Sequence, residues 1–231
     1  MWAFADCTNL KNITIPDSLT SIDYSTFEGC TSLAYCNDNN GKYLGNSENP
    51  YLVLIDVIDT AASDFTISNA TKVIGSEAFS NCTNLKSIII PDSVTSIGNS
   101  AFKGCTNLKS ITIPDSVASI GSFAFEDCTS LKSITLPDSV TSIGSLAFDG
   151  CTGLKSITLP DSVTSIGQFA FRSCTNLASV YYTGTATEWG KINIDDTNSD
   201  LTDATIYYYS ETQPTAEGNY WHYVNGVATP W

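Results

Sequence analysis

Cysteines are the first residues in this chain whose type and spacing could do chemistry. Cys82, Cys105, Cys128, Cys151 and Cys174 follow one another at intervals of 23 residues, as do Cys7 and Cys30. Such residues could hold zinc as thiolates or close disulfides in an oxidising compartment. No pair has CxxC spacing, and the single histidine, His222, lies far away in the tail, so zinc is not expected. In-phase residues on stacked strands would stand about 4.8 Å apart with parallel side chains. A disulfide needs Cβ atoms about 3.8 Å apart and turned toward each other. The favoured reading is a column of buried free thiols behaving as small apolar groups. Cys36 falls out of phase, and its state stays open.

Carboxylates recur as well. Asp17, Asp92, Asp115, Asp138 and Asp161 stand in "PDS", and Lys11, Lys86, Lys109, Lys132 and Lys155 follow a leading Leu. Paired carboxylates could serve glycoside hydrolysis. Catalysis, however, needs unlike environments to split two pKa values, and a charge repeated at one position reads as a solvated ridge. Asp196, Asn198, Asp200 and Asp203 have the spacing of a Ca²⁺ loop. Leu201 stands where that loop needs Gly, and Tyr207 where it needs the closing Glu, so a turn-forming loop is favoured over calcium. A Ser–His–Asp triad would have to recruit His222, and no nucleophile elbow accompanies it. No catalytic, metal or cofactor-binding residue is expected.

The elements that position these residues are copies of one unit. "LKSITIPDSVASIGSFAFEDCTS" at 108–130 is followed by "LKSITLPDSVTSIGSLAFDGCTG" at 131–153. Full repeats run over 10–32, 62–84, 85–107, 108–130, 131–153 and 154–176, with a partial repeat at 1–9 and a longer variant unit at 33–61. Leu108, Ile111, Ile113, Val117, Ile120, Ala124, Phe125 and Cys128 mark the apolar positions. "SITIP" alternates with period two, so Ile111 and Ile113 point inward, Ser110 and Thr112 outward, and Pro114 ends the strand. "VASIG" offers a second extended segment, and "SFAFEDC" is long enough for one or two helical turns. Burying the apolar side chains of one unit cannot offset the entropy of ordering 23 residues. The copies must therefore stack into a solenoid in which each touches its neighbours.

The pattern L-x-x-I-x-I/L-P-x-x-V-x-x-I-G-x-x-A-F-x-x-C closely resembles the BspA-like leucine-rich repeat. It covers 10–176 apart from the variant unit. The resemblance implies a right-handed solenoid, mainly β with short helical turns, with a parallel strand from each repeat on the concave side. It also implies a bacterial or protist surface protein associated with adhesion.

The remaining segments read as follows. In 33–61, "KYLGNSENPYLVLIDV" predicts a β-hairpin grafted onto one coil, either a recognition element or, as favoured, local packing. Residues 177–231 form a C-terminal cap and aromatic tail: Thr185 and Glu188 fit a capping box, "ATIYYYS" a closing strand, and Asn225-Gly226 a type I′ hairpin turn. Residues 1–9 resemble the end of a repeat, which predicts an apolar end and weak self-association. Ten Lys and Arg against 24 Asp and Glu give a net charge of −14, which disfavours nucleic acid and anionic lipid. No stretch approaches the roughly 18 apolar residues of a membrane span, and "MWAFADCTNL" lacks the features of a signal peptide.

Function then rests on surfaces. Ser110, Thr112, Ser133, Thr135, Ser156 and Thr158 should line the concave face, which is small and uniform and lacks the large side chains of binding hot spots. Variety between copies lies beside the Ala-Phe pair, at Phe123, Leu146 and Phe169 before it and at Lys103, Glu126, Asp149 and Arg172 after it. Tyr220, Trp221, Tyr223 and Trp231 could stack on sugar rings, although packing against the cap is favoured. The reading is a non-enzymatic interaction module of a cell-surface or secreted protein, with a protein or glycan partner. The alternatives are a carbohydrate-binding module acting through the aromatic tail, and a passive spacer.

Overall fold

A computed structural model describes residues 2–231. Each 23-residue unit makes one coil, and its two extended segments enter two different sheets. The second, shorter segment builds the more continuous one. Val73–Ile74, Ser96–Ile97, Ser119–Ile120, Ser142–Ile143, Ser165–Ile166 and Asn193–Ile194 stack in parallel. The register advances one unit per coil, with Ser142 opposite Ser165 and Ser119. Gly75, Gly98, Gly121, Gly144 and Gly167 follow the first five of these segments directly, which keeps them short.

The first segment does not form the unbroken sheet expected of it. Asp64–Thr66 and Ser87–Ile89 pair with each other. A separate six-stranded sheet begins at Ser133–Thr135 and runs through Ser156–Leu159, Ser179–Tyr182 and Thr205–Tyr209 to the hairpin Tyr220–Val224 and Val227–Pro230. Between the two, residues 110–113 keep the repeat sequence but pair with neither neighbour. The ladder also continues past residue 176, through Ser179 and Thr205 in register with Ser156.

Inside the coils the apolar positions are buried as their spacing requires. Leu108, Val117, Ala124, Phe125 and Cys128 are fully enclosed, with Ile111, Ile113 and Ile120 close behind. Phe79, Phe102, Phe125, Phe148 and Phe171 stack in a column with ring centroids 5.1, 5.3, 5.3 and 5.2 Å apart. That spacing follows from the distance between coils, because a residue repeated in phase must lie over its own copy. The coils approach so closely at the glycine repeated in five of the six full units that a Cβ on Gly121 would stand 2.8 Å from the carbonyl of Gly98.

"SFAFEDC" is not helical. It is a run of turns in which two residues per coil adopt left-handed backbone, Phe123 at φ 59° and Asp127 at φ 58° in this copy. A helix would spend its N–H groups within the segment; here alternate ones cross to the next coil, while those of Ala124, Glu126 and Cys128 bond within their own. Phe123 N–H donates to the Ser145 carbonyl at 2.9 Å and Phe125 N–H to Ala147 at 2.7 Å. These bonds offset the cost of left-handed geometry at a bulky residue. Only in the first full repeat does the equivalent segment form a helical turn, the 3₁₀ turn at Tyr24–Phe27; short α-helical turns lie in the cap, at Ala186–Trp189 and Ser199–Thr202.

The variant unit holds the expected hairpin around "NSENP", extended by one more strand into a three-stranded meander. Cys36–Asp38, Gly41–Leu44 and Val53–Val57 are antiparallel, and the third joins the solenoid by pairing in parallel with Val73–Ile74. Tyr43, Leu52, Val53 and Leu54 are fully buried, so the insertion extends the core. At the other end the capping box is present, with Thr185 Oγ1 accepting from the Glu188 N–H and the Glu188 carboxylate accepting from the Thr185 N–H. Asn225 and Gly226, at φ 51° and 78°, turn the tail hairpin.

Candidate functional site

The cysteine column is built as a packing and hydrogen-bonding device. All eight thiols are free. Cys105, Cys128, Cys151 and Cys174 donate from Sγ to the carbonyls of Phe79, Phe102, Phe125 and Phe148 in the preceding coil, at 3.1 to 3.2 Å. Burial pushes the Cys82 thiol up to about 11 and those of Cys105 and Cys174 to about 12, and raises Cys128 and Cys151 well above the ordinary value. Thiols held protonated in this way are poor nucleophiles and poor metal ligands. Cys7 and Cys36 are exposed.

The acidic loop 195–203 closes the end of the solenoid. In interior coils the N–H groups of the residue before the Ala-Phe pair and of its Phe donate to carbonyls of the next repeat; above the last full repeat this loop takes that place. Phe169 N–H donates instead to Thr197 Oγ1 at 2.7 Å, and Phe171 N–H to Asn198 Oδ1 at 3.0 Å. Asn198 is itself buried and donates through Nδ2 to the carbonyls of Gly167 and Asp195. Its side chain is committed to the backbone, as the turn-forming reading of this loop requires.

The varied positions beside the Ala-Phe pair are largely engaged with one another. Phe123, Leu146 and Phe169 are half-buried. Lys103 pairs with Glu126 at 2.5 Å, which raises the lysine above its ordinary range, and lies over the Phe123 ring at 5.6 Å. Arg172 grips the buried Asp149 carboxylate through both Nε, at 3.0 Å, and Nη2, and covers Phe169 at 5.0 Å. This edge is a self-complementary strip of ion pairs and cation–π contacts, with few charges left for a partner.

On the strand face Ser110, Thr112, Ser133 and Thr135 are exposed and Ser156 half-buried, while Thr158 is buried beside its cross-strand neighbour Tyr181. Where the ladder is interrupted, a cleft of about 350 Å³ opens between Ser110, Thr112, Asp115, Ser133, Thr135 and Pro137. Toward the C-terminus the small-residue floor meets an aromatic wall. Trp221 packs at 5.2 Å from Tyr209, 4.8 Å from Tyr223 and 5.5 Å from Tyr181, which in turn stacks on Tyr207. Trp221 is fully buried. Its indole has no free face to offer a sugar, so its candidacy as a stacking platform gives way to a role in the cap. The rings that remain accessible are Tyr209, Tyr223 and Trp231. His222 packs on the other side of its strand, against Trp231, at 3.6 Å between ring centroids.

Sequence reasoning missed one grouping. Asp138, Asp161, Thr183, Tyr209 and Tyr223 line a second cleft of about 300 Å³. They come from four coils and the tail hairpin. Burial raises the Tyr223 hydroxyl above its ordinary range, and the Asp138 carboxylate and Tyr209 raise it further. The repeated Asp was visible as a ridge, but nothing in a linear pattern says that the tail folds back over it.

Comparison with known proteins places these features in a family. A model of the BspA type leucine rich repeat region matches in six copies, over residues 1–47, 59–178 and 95–208. No curated protein matches the chain. A leucine rich cell surface protein from Faecalibacterium prausnitzii A2-165 is 34% identical over 81% of this chain and 52% of its own, with a TM-score of 0.68. A leucine-rich repeat protein from Bacteroides ovatus ATCC 8483 is 30% identical over 89% of this chain and 51% of its own, at 0.58. The leucine rich repeat protein of T. pallidum is 30% identical over 64% of this chain and 71% of its own, also at 0.58. The chain spans about half the length of the first two. With its repeat pattern, parallel coils and six matched copies, the chain belongs to the BspA-type leucine-rich-repeat family.

Proposed function

We propose that this chain is a non-enzymatic binding module, displayed at a cell surface or secreted, that engages protein partners through its strand face. One observation carries the reading. The strand face is where exposed, hydrogen-bond-capable side chains and both clefts coincide, whereas the opposite strip satisfies its own charges. The relative from F. prausnitzii is described as a cell surface protein, which supports display outside the cell. No helix among the described residues is long and apolar enough to cross a membrane.

The test is adhesion of beads coated with the chain to immobilised extracellular proteins. Ser110→Arg with Ser133→Arg places bulk and charge on the strand face and should abolish attachment, while Lys103→Ala on the opposite strip should leave it intact. Equal loss in both variants, or attachment unaffected by the paired substitution, would sink the assignment of the face. The exposed Tyr209, Tyr223 and Trp231 rings keep glycans as a second class of ligand, to be separated by a glycan array. A spacer role predicts no ligand in either assay.

A further inference from the structure

We infer that the cleft between the aspartate ridge and the aromatic tail is a binding site for an organic cation, the ammonium or guanidinium tip of a partner's lysine or arginine side chain. The inference rests on the binding-module reading and names the chemistry that one part of the strand face recognises.

The lining is lopsided in a way that specifies its complement. Asp138 and Asp161 are exposed carboxylates, which can only accept hydrogen bonds when ionised. Tyr209 and Tyr223 are 40% and 47% exposed and present π-faces whose quadrupole attracts cations. Their rings are 6.2 Å apart and inclined at 50°, splayed rather than stacked on each other. The Thr183 hydroxyl already accepts from the Asp161 N–H at 2.8 Å, which holds that aspartate at the rim. No lysine or arginine lines the cleft. Glu188, locked in its capping box, adds negative charge from the same side, since its carboxylate and the Asp161 side chain both lie within 3.0 Å of a Cβ placed on Gly184. The nearby Lys191 acts on Glu188 outside the lining.

Two carboxylates with no cation in the lining, beside aromatic faces, suit a ligand group rich in N–H and positive charge. A neutral sugar could hydrogen-bond to these groups but would leave both carboxylates without a counter-charge. Size agrees. About 300 Å³ lies at the small end of ligand sites and admits one side-chain tip rather than an oligosaccharide. The protein's net charge of −14 steers basic partners toward it.

The rings are also held in place. Trp221 sits beneath both tyrosines, edge-on to each at 68° and 77°, and its own Nε1–H is tied to the Tyr182 carbonyl. The tyrosines are therefore fixed by the cap core before any ligand arrives, which lowers the entropy lost on binding.

The experiment titrates the full chain with N-acetyl-lysine methylamide, N-acetyl-arginine methylamide, butylammonium, neutral butanol and methyl glucoside, reading the tyrosine ring resonances by NMR. The expected result is saturable shifts with the three cations, assigned to Tyr209 and Tyr223 by their loss in Tyr209→Ala and Tyr223→Ala. Butanol and methyl glucoside should give none. Asp138→Asn with Asp161→Asn should weaken the cations about tenfold, the combined effect of two partly screened charges, while Tyr223→Phe, which keeps the π-face, should bind as before. Lysine methylamide binding more tightly than butylammonium marks a peptide source; equal binding marks a free amine, which would overturn the assignment to a partner side chain. Cations that shift neither tyrosine, or butanol that binds as well as butylammonium, would overturn the site, and methyl glucoside binding alone would reassign it to sugars. Adhesion that persists in Tyr223→Ala while cation binding is lost would leave the binding-module reading standing and remove this cleft from it.

Discussion

The indole Nε1–H of Trp221 donates to the backbone carbonyl of Tyr182 at 2.8 Å, joining residues 39 positions apart in the chain. This bond ties the tail hairpin to the strand that follows the last full repeat. A solenoid's final coil would otherwise present an apolar face and unpaired carbonyls to water. The tail answers both needs at once, because the ring that makes the bond is also the largest fully buried side chain.

Replacing Trp221 by Ala should therefore cost about 3–5 kcal/mol, the usual range for deleting a buried aromatic, and lower the melting temperature clearly. Trp221→Phe keeps most of the packing but leaves the Tyr182 carbonyl without its partner, at about 1–3 kcal/mol. Hydrogen exchange should place the loss at the C-terminal strands first, since each coil is stabilised mainly by its neighbours. A Trp221→Ala protein that melts with the wild type would mean that the tail is an appendage.

Asn198 provides a sharper test of the end cap. Asn198→Ala strands the Phe171 N–H in a buried position, and about 1–3 kcal/mol should be lost. Asn198→Asp keeps an acceptor for that N–H but loses both Nδ2 donor bonds, so it should fall between. Added Ca²⁺ should not change the melting temperature of the wild type. Stabilisation by millimolar Ca²⁺ that disappears in Asn198→Ala would restore the ion-binding reading of the loop.

Much of this architecture was legible because the repeat writes its packing directly. Ile111 and Ile113 at period two, Gly121 and Cys128 in phase, and Asn225-Gly226 at the hairpin each carry a local rule that the structure obeys. The left-handed backbone at Phe123 was not legible. Phenylalanine has no preference for that geometry, which is stabilised by a bond to Ser145 in another coil. For the same reason "SFAFEDC" suggested a helix. Likewise the burial of Trp221 and the meeting of Tyr223 with Asp138 depend on how the tail returns over coils far behind it in sequence. The thiol bond from Cys128 to the Phe102 carbonyl left no trace in spacing beyond the period itself, so the column read as purely apolar.

At the opposite end Trp2 is 65% exposed and Phe4 40% exposed, with Phe4 stacked on Phe27 at 5.6 Å. Apolar rings of this size on a protein surface favour association with a second copy. Light scattering should show weak self-association at high concentration, reduced in Trp2→Ser. A wild-type monomer throughout the accessible range would refute it.

The buried thiols should make stability fall at alkaline pH. Native Cys82 holds its proton up to about 11, and Cys105 and Cys174 up to about 12, whereas an unfolded thiol releases it near 8.5. Between these limits the unfolded chain binds fewer protons than the native one, so its population grows as pH rises, by about 1.4 kcal/mol per thiol per pH unit at most. Their contribution is fully present below about pH 8 and is lost progressively as pH approaches the native values. Tyr43 and Tyr182, also raised by burial, add the same sign above their ordinary value of 10. The window from pH 8.5 to 10 therefore reports chiefly on cysteine. Denaturant titrations across that window should give a declining stability in the wild type and a shallower decline in Cys105→Ala with Cys128→Ala. In the native protein at pH 8 a thiol reagent should label the exposed Cys7 and Cys36 rapidly and reach the other six only after unfolding. A flat stability profile, or rapid labelling of the column in the native state, would show that the coils open far more readily than their packing implies.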